Sequence, residues 1–489
     1  MSGFWKKGTS LDLDALRFEV DPPADAVVDA VYRGHQDAGV AALLDSLGRS
    51  STSIQAAEAT GARRPPVAMH LRIGGHELNL DWAHGTEAAQ TVPHVQPVEA
   101  EGLSFADRLR TRLLADHATP AGTLPEWAES LCDYFGRTSQ LPSWADQDRI
   151  DRASRLAVLY GILDTLILCC GSLPWCYLDA NGVPVLASTQ RLQGSRVYRR
   201  IWETSHFVVN AVEPGGLGPE GKGVFMAQRV RLLHAAVRNR LLAPRPPQGS
   251  PEGRADTAGA MRSSVEAVDW NRIGLPLNQE DMAYVLLTFS YVAIAGLRKL
   301  GARPSKEDAD AYVHLWNVVG HVLGIRQELM AETFEDAEAL FHILVDRVRV
   351  KPPLRETPDQ PDKGRLLTKS LVAWMEQVAP RRMQSVPSIL ITHLLGRENA
   401  ALLGVELTRR QRLRAPFTLT AIRATTRLVE LARRETGTAL SAAIRRRVFT
   451  LVNGGLWERR EHQWDDLARW PDAYTGDEDA SPGAMSGAH

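Results

Sequence analysis

Apolar residues recur at helical spacing along most of this chain. In residues 25–47 the valines and leucines fall three and four positions apart, which places them on one face of a helix. Around residues 67–82 the pattern shifts towards alternation on both sides of a Gly-Gly pair, which predicts a small β-hairpin. Helical spacing dominates from residue 104 onward. The pattern therefore predicts an all-α fold with one short hairpin near the N-terminus.

Turn and capping residues predict where several helices begin and end. One helix is predicted to start after the turn 142–146, to continue through the apolar stretch 156–170 and to end at Gly171. Asn278 is the predicted cap of a single long helix over 279–300. Further helices are predicted at 193–209, at 224–242 and, after a capping box of Ser305 and Asp308, up to Gly324.

Stretches rich in proline, glycine and charge separate these patterns. Residues 244–260 and 351–364 have the composition of surface loops. We predict an N-terminal, partly helical extension over residues 1–100, a large helical domain over 101–470 and a polar tail over 471–489.

Composition and charge narrow the class of protein. The chain has 489 residues, 44% of them hydrophobic and 24% charged, which is typical of a globular protein. With 57 basic and 58 acidic residues the net charge is −1, so we expect no nucleic-acid partner, although local basic clusters can still act. The four cysteines form no Cys-x-x-Cys pair, which argues against a zinc or thioredoxin-like site and favours a reducing compartment.

Two further observations bear on location. No apolar stretch of signal-peptide length follows the N-terminus. The most apolar window, 156–170, is too short to span a bilayer and contains Asp164. We therefore expect a cytoplasmic protein without a membrane span.

One imidazole lies on an apolar face of the helix predicted at 224–242. Val230 and Val237 are placed four residues before and three after His234, on the same face. The arginines at 229, 231, 238 and 240 flank it. An iron-containing, apolar cofactor with two carboxylates would use such a set, with imidazole on the metal and guanidinium groups on the carboxylates. From spacing alone, a hydrogen-bonded core histidine is the more common explanation.

A second polar group lies on the helix predicted at 193–209. Arg200, Glu203 and Thr204 are spaced i, i+3 and i+4 and therefore share a face. A buried Arg–Glu pair with a hydroxyl can hold a proton and a water molecule. An exposed salt bridge is the simpler alternative. Glu203 and His206 also have the spacing of a di-iron motif, but the sequence has no second Glu-x-x-His to complete that site.

Other candidate motifs carry less weight. His314, His321 and His342 could bind a metal, but core or surface roles are favoured. The glycine-rich stretch 216–222 resembles the front of a phosphate-binding loop, yet Gly223 stands where a magnesium-binding Ser or Thr is needed, so nucleotide binding is rejected.

Several segments together resemble the MpaB-type oxygenase family, which includes the latex clearing proteins that cleave rubber. The resemblance covers about residues 104–325 and rests on the order and spacing of the motifs. The motifs are Leu141-Pro-Ser-Trp-Ala-Asp146, Gly171-Ser-Leu-Pro174, Arg200-x-x-Glu-Thr204, Pro214-Gly-Gly with Gly221-x-Gly223, Arg229-Val-Arg-Leu-Leu-His-Ala-Ala-Val-Arg238, Gly274-Leu-Pro-Leu-Asn-Gln-Glu-Asp281, and Asp310-Ala-Tyr-x-x-x-Trp316 followed by Val319-Gly320 and Leu323-Gly324.

The resemblance implies a globin-like, all-α bundle that encloses a haem b. It implies that His234 is the proximal iron ligand and that Arg238 supports it from the same helix. Arg231, one of the flanking arginines, is a further candidate cofactor-binding residue. The rubber oxygenases, which this chain resembles, have an Arg-x-x-Lys-Thr pattern. This chain has Glu203 at the position of that lysine. A carboxylate in place of a potential cationic ligand or proton donor argues against rubber as the substrate, as does the expected cytoplasmic location.

These observations lead to a functional hypothesis with three alternatives. The leading hypothesis is a haem-dependent oxygenase or peroxygenase that uses O2 or H2O2 to oxidise an apolar small molecule. His234 holds the iron, Glu203 shuttles a proton, Arg200 fixes that carboxylate and Thr204 holds its water. The alternatives are oxidative cleavage of an isoprenoid C=C bond, a non-catalytic haem protein that binds a gas, and a helical scaffold without a cofactor.

Overall fold

A computed structural model of the chain describes ten stretches of residues. They are 3–4, 10–48, 68–73, 76–81, 104–117, 122–188, 196–218, 221–243, 268–349 and 362–435. The chain divides into two compact units, residues 1–423 and 424–489, and of the second the structure describes only the end of one helix. The first unit contains every candidate residue discussed below.

The N-terminal region combines short strands with a long bent helix. Strands β1 (Gly3–Phe4) and β2 (Ser10–Leu11) pair antiparallel and lead into α1 (Leu13–Leu16) and α2 (Pro22–Gly48). Helix α2 bends at Gln36, whose φ of 53° lies in the left-handed region. The predicted hairpin is present as the antiparallel pair of β3 (Ala68–Ile73) and β4 (His76–Asp81).

The middle of the chain is helical, as the hydrophobic pattern predicts. The helices are α3 (Phe105–His117), α4 (Glu126–Thr138), α5 (Gln147–Ile167), α6 (Leu173–Tyr177), α7 (Gly182–Ser188), α8 (Arg196–Val212) and α9 (Lys222–Leu242). Asp146 caps α5 by accepting from the amides of Asp148 and Arg149. Around its predicted end at Gly171, the chain widens into one π-helical turn, Leu168–Ser172, before α6.

The remaining described helices complete the bundle. They are α10 (Trp270–Ile273), α11 (Gln279–Phe289), α12 (Tyr291–Lys299), α13 (Lys306–Val322), α14 (Phe334–Val348), α15 (Lys363–Val378), α16 (Val386–Leu395), α17 (Arg397–Leu402) and α18 (Arg409–Glu435). The stretch predicted as one helix over 279–300 is helical, with a one-residue interruption at Ser290 that divides it into α11 and α12. The Ser290 hydroxyl donates back to the Leu286 carbonyl. The caps predicted at Asn278 and Ser305 are confirmed.

Helix α9 lies inside this bundle and packs against α2, α8 and α13. Its contact with α8 depends on the glycine-rich loop between the two helices. A Cβ atom on Gly223 would lie 2.7 Å from Ala211 Cα and 2.8 Å from the Asn210 carbonyl oxygen, and the Gly223 amide donates to the Gly216 carbonyl. The glycines therefore allow close helix packing, which explains them without a bound phosphate.

Long apolar helices belong to the core of this bundle. Among the described residues, the stretch Gln279–Lys299 is long and apolar enough to cross a membrane, and the bent pair covering 147–177 also qualifies if it is taken as one span. Since 78% of the apolar window in Gln279–Lys299 is buried inside the protein, this stretch has the burial of a core element. The all-α prediction is confirmed.

Candidate active site

His234 and Val230 form a less buried patch on α9. The residues on either side of both, including Arg229, Arg231, Leu233 and Ala235, are buried, whereas Val230 and His234 are only partly buried. They lie four residues apart and therefore on one face, and the Nδ1 atom of His234 is shielded from solvent. This face of α9 is thus less completely covered than the positions next to it.

The same face of α9 carries the contact with α8. At 100° per residue, positions 223, 230 and 234 lie within about 40° of one another around the helix. Because Gly223 touches α8, the His234 face is also the face that α8 approaches. The sequence could predict each helix, but only the fold shows that α8 packs on this face of α9.

Polar residues of α8 lie along this approach. Glu203, Thr204 and His206 are partly buried, and the following Phe207 and Val208 are buried in the core. The structure thus brings the α8 candidates Glu203 and Thr204 onto a helix that packs against the one carrying His234. Arg200 lies on α8 as well, and its side chain falls outside the described part.

Arg229 is the cation that the structure places near Glu203. Its guanidinium is buried, donates to the Leu47 carbonyl at 3.2 Å and lies 5.8 Å from the Phe225 ring centre. Burial lowers the pKa of Arg229 to about 10, and the charge of Glu203 opposes that shift. The sequence predicts Arg200 as the partner of Glu203, because residue spacing indicates only pairs on the same helix and Arg229 lies on another helix.

Arg231 and Arg238, the two predicted cofactor-binding arginines, are bonded to carboxylates of the N-terminal region. Arg231 donates to both carboxyl oxygens of Asp21, at 2.5 and 2.7 Å. Arg238 donates twice to Asp25 Oδ1, at 2.8 and 3.1 Å, and to the Leu277 carbonyl at 3.0 Å. Burial raises the pKa of Asp25, and Arg238 counteracts that rise. These two guanidinium groups are thus largely engaged within the chain.

We name residues 21–48 the N-terminal strap, because they bind α9 on both flanks. Asp21 and Asp25, before the bend at Gln36, hold Arg231 and Arg238. Beyond the bend, the fully buried Arg240 contacts Asp37 at 3.0 Å, and the Leu47 carbonyl accepts from Arg229. The sequence places these residues in a separate N-terminal extension, so their participation in the site was missed. Carboxylates at 21, 25 and 37 and arginines at 231, 238 and 240 are the signal that could have indicated it.

The other histidines have structural surroundings. His314 accepts the Asp146 amide at 2.9 Å and meets the Trp144 ring edge-on, and burial lowers the pKa of His314 to about 4. His342, on α14, packs against Tyr291 of α12. Within the described ranges, no group of three or more His, Cys, Asp or Glu side chains is arranged to hold a metal ion.

The described residues fit the iron of a haem better than they fit its carboxylates. A partly buried imidazole on an apolar helix face is the kind of donor that an iron porphyrin binds. The two guanidinium groups closest in sequence to it are already bonded to Asp21 and Asp25. Their predicted contact with cofactor carboxylates stays a prediction.

Comparison with known proteins adds independent findings. The family model described as "ER-bound oxygenase mpaB/B'/Rubber oxygenase, catalytic domain" matches residues 161–430, more than half of the chain. A rubber oxygenase from Streptomyces sp. (strain K30) is 26% identical over 295 residues, which cover 59% of this chain and 63% of that relative, less than two thirds of its length. A solved structure of a latex clearing protein in the closed state aligns with a TM-score of 0.50 at 20% identity, covering 65% of this chain and 77% of that chain. The resemblance inferred from the motifs is confirmed, and the structural likeness supports the helical fold.

Proposed function

The chain belongs to the family of ER-bound oxygenase mpaB/B'/rubber oxygenase catalytic domains, and on that premise we propose that it is a haem b-dependent oxygenase acting on an apolar small molecule. His234 is the residue that would bind the haem iron. The observation that carries this proposal is the partly buried face of Val230 and His234 on an otherwise buried helix inside the matched region. When bound there, the haem would supply the redox chemistry that activates O2 or H2O2.

The chain's own residues supply orientation and proton control. The half-buried Glu203 can hold or release a proton, and Thr204 on the next position can orient a water molecule against it. The buried cation of Arg229 interacts with the charge of Glu203 from the neighbouring helix. Arg200 is proposed to assist from the preceding turn of α8.

The N-terminal strap is proposed to fix the ligand helix. Its bonds to Arg231 and Arg238 lie three residues before and four after His234, so they restrain the turns that carry the imidazole. In this proposal the two arginines position His234 through the strap, whatever contact they make with cofactor carboxylates.

A second candidate reaction is oxidative cleavage of an isoprenoid C=C bond. It is favoured by the rubber oxygenase relative. It predicts carbonyl products that contain oxygen from O2, and labelled O2 with terpenoid substrates distinguishes it from hydroxylation or epoxidation. Glu203, in the place of the lysine of the rubber oxygenases, is the residue expected to shift the reaction between these outcomes.

The absorption spectrum of protein purified from haem-supplemented cells tests the cofactor and its ligand together. We expect a Soret band in the wild type, its loss in His234→Ala and its retention in the control His342→Ala. A colourless wild type would refute the haem proposal. A band that survives in His234→Ala would move the ligand elsewhere, with His206 as the next residue to substitute. A cytoplasmic location is part of the proposal, and cell fractionation checks it.

A further inference from the structure

The start of α18 carries the most exposed large apolar side chains among the described residues. Phe417 is 79% exposed and Leu413 is 73% exposed, and they lie four residues apart on one face. On the other side of the same helix, Leu419 and Ile422 pack against the core. The helix is therefore seated on the protein, and its outward face remains apolar.

Arginines border this apolar face. Arg409, Arg410, Arg412 and Arg414 are all exposed in the first six residues of α18. Residues 407–423 contain five arginines and no Asp or Glu, in a chain whose net charge is −1. The positive charge is thus concentrated around Leu413 and Phe417 and absent from the protein as a whole.

We propose that this face, which we call the α18 face (residues 409–417), docks on the surface of an anionic lipid bilayer. A helix lying in the interface buries a narrow apolar strip in the headgroup region while flanking cations meet lipid phosphates. Leu413 and Phe417 supply that strip, and the long arginine side chains can reach from its borders to the phosphates. The charge complementarity selects anionic lipids over a neutral apolar partner. A docked enzyme would draw apolar substrate from the bilayer, but the binding itself is independent of the haem.

Vesicle co-sedimentation of the full-length protein tests the proposal. We expect binding to vesicles of phosphatidylcholine mixed with phosphatidylglycerol, little binding to phosphatidylcholine alone, and weakening as salt is added. Phe417→Asp should lower the partition coefficient by about tenfold or more, since it places a charge in the buried strip. Val158→Asp is the matched control, because Val158 is an exposed apolar residue on α5, outside the face. Arg409→Gln combined with Arg410→Gln should reduce the preference for the anionic lipid.

A fluorescent label distinguishes lipid from other occupants of the face. All four native cysteines are buried, so Phe417→Cys gives one accessible thiol for an environment-sensitive fluorophore. A blue shift that appears only with mixed vesicles supports the proposal. Emission that is already blue-shifted without vesicles would overturn it, because another part of the chain or a second copy then covers the face. No binding to mixed vesicles, or equal binding by Phe417→Asp, would also overturn it.

Discussion

The arginines of α9 and its histidine lie on the same helix but in opposite kinds of environment. Arg231, Arg238 and Arg240 are buried and held by carboxylates of the strap, whereas His234 is partly buried beside a helix of half-buried polar residues. A buried ion pair is costly to break, and an incompletely packed polar face contributes little to folding. The comparison indicates that the contacts with the strap stabilise α9. The face of α9 towards α8 contributes less to stability and can carry the residues of the reaction.

Breaking the Arg231–Asp21 pair should produce the largest effect. Arg231→Met leaves the Asp21 carboxylate buried without its main partner, so we expect a loss of about 3–5 kcal/mol in the free energy of unfolding. Urea denaturation measures it. The control Arg326→Met breaks exposed pairs with Glu19 and Glu328 and should cost at most about 1 kcal/mol. Similar losses in both variants would contradict a stabilising role specific to the strap.

Crowding the contact between α8 and α9 should lower both the stability of the protein and its retention of haem. Gly223→Ala places a Cβ atom 2.7 Å from Ala211 Cα, so we expect a loss of about 1–3 kcal/mol from overpacking. The displaced α8 should also weaken haem retention, measured by transfer to apomyoglobin. Gly161→Ala on α5, where a Cβ atom meets nothing within 4 Å, should leave stability unchanged or slightly raised. A harmless Gly223→Ala would show that the two helices are not locked together there.

Glu203→Gln should act on turnover and leave stability alone. The substitution keeps the shape of the half-buried side chain and removes its proton exchange, so we expect unfolding within about 0.5 kcal/mol of wild type. Loss of a general acid–base should lower turnover by about 100-fold or more. The Soret band should persist, which separates this variant from His234→Ala. Normal turnover in Glu203→Gln would remove Glu203 from the mechanism.

The sequence predicts the local features of α9 but not its contacts with distant segments. The helix itself, His234 and its apolar neighbours follow from residue spacing, because those interactions are local. The Glu203–Arg229 proximity and the strap's bonds join residues from 26 to 213 positions apart in sequence, and no local pattern encodes them.

The smallest expected effect is a change in how the free energy of unfolding depends on pH, which tests the protonation of Asp25 in the strap. Burial raises the pKa of Asp25 above 3.8, so the folded state binds this proton at a higher pH than the unfolded chain does. Between 3.8 and the raised pKa, the folded state therefore carries the extra proton, and the contribution of Asp25 to stability increases as the pH falls. Asp25→Asn should remove that component of the pH profile, and urea titrations of both proteins through mildly acidic pH measure the difference. Parallel profiles would mean that the pKa of Asp25 is the same in the folded and the unfolded chain, because the bonds from Arg238 then offset the cost of burial.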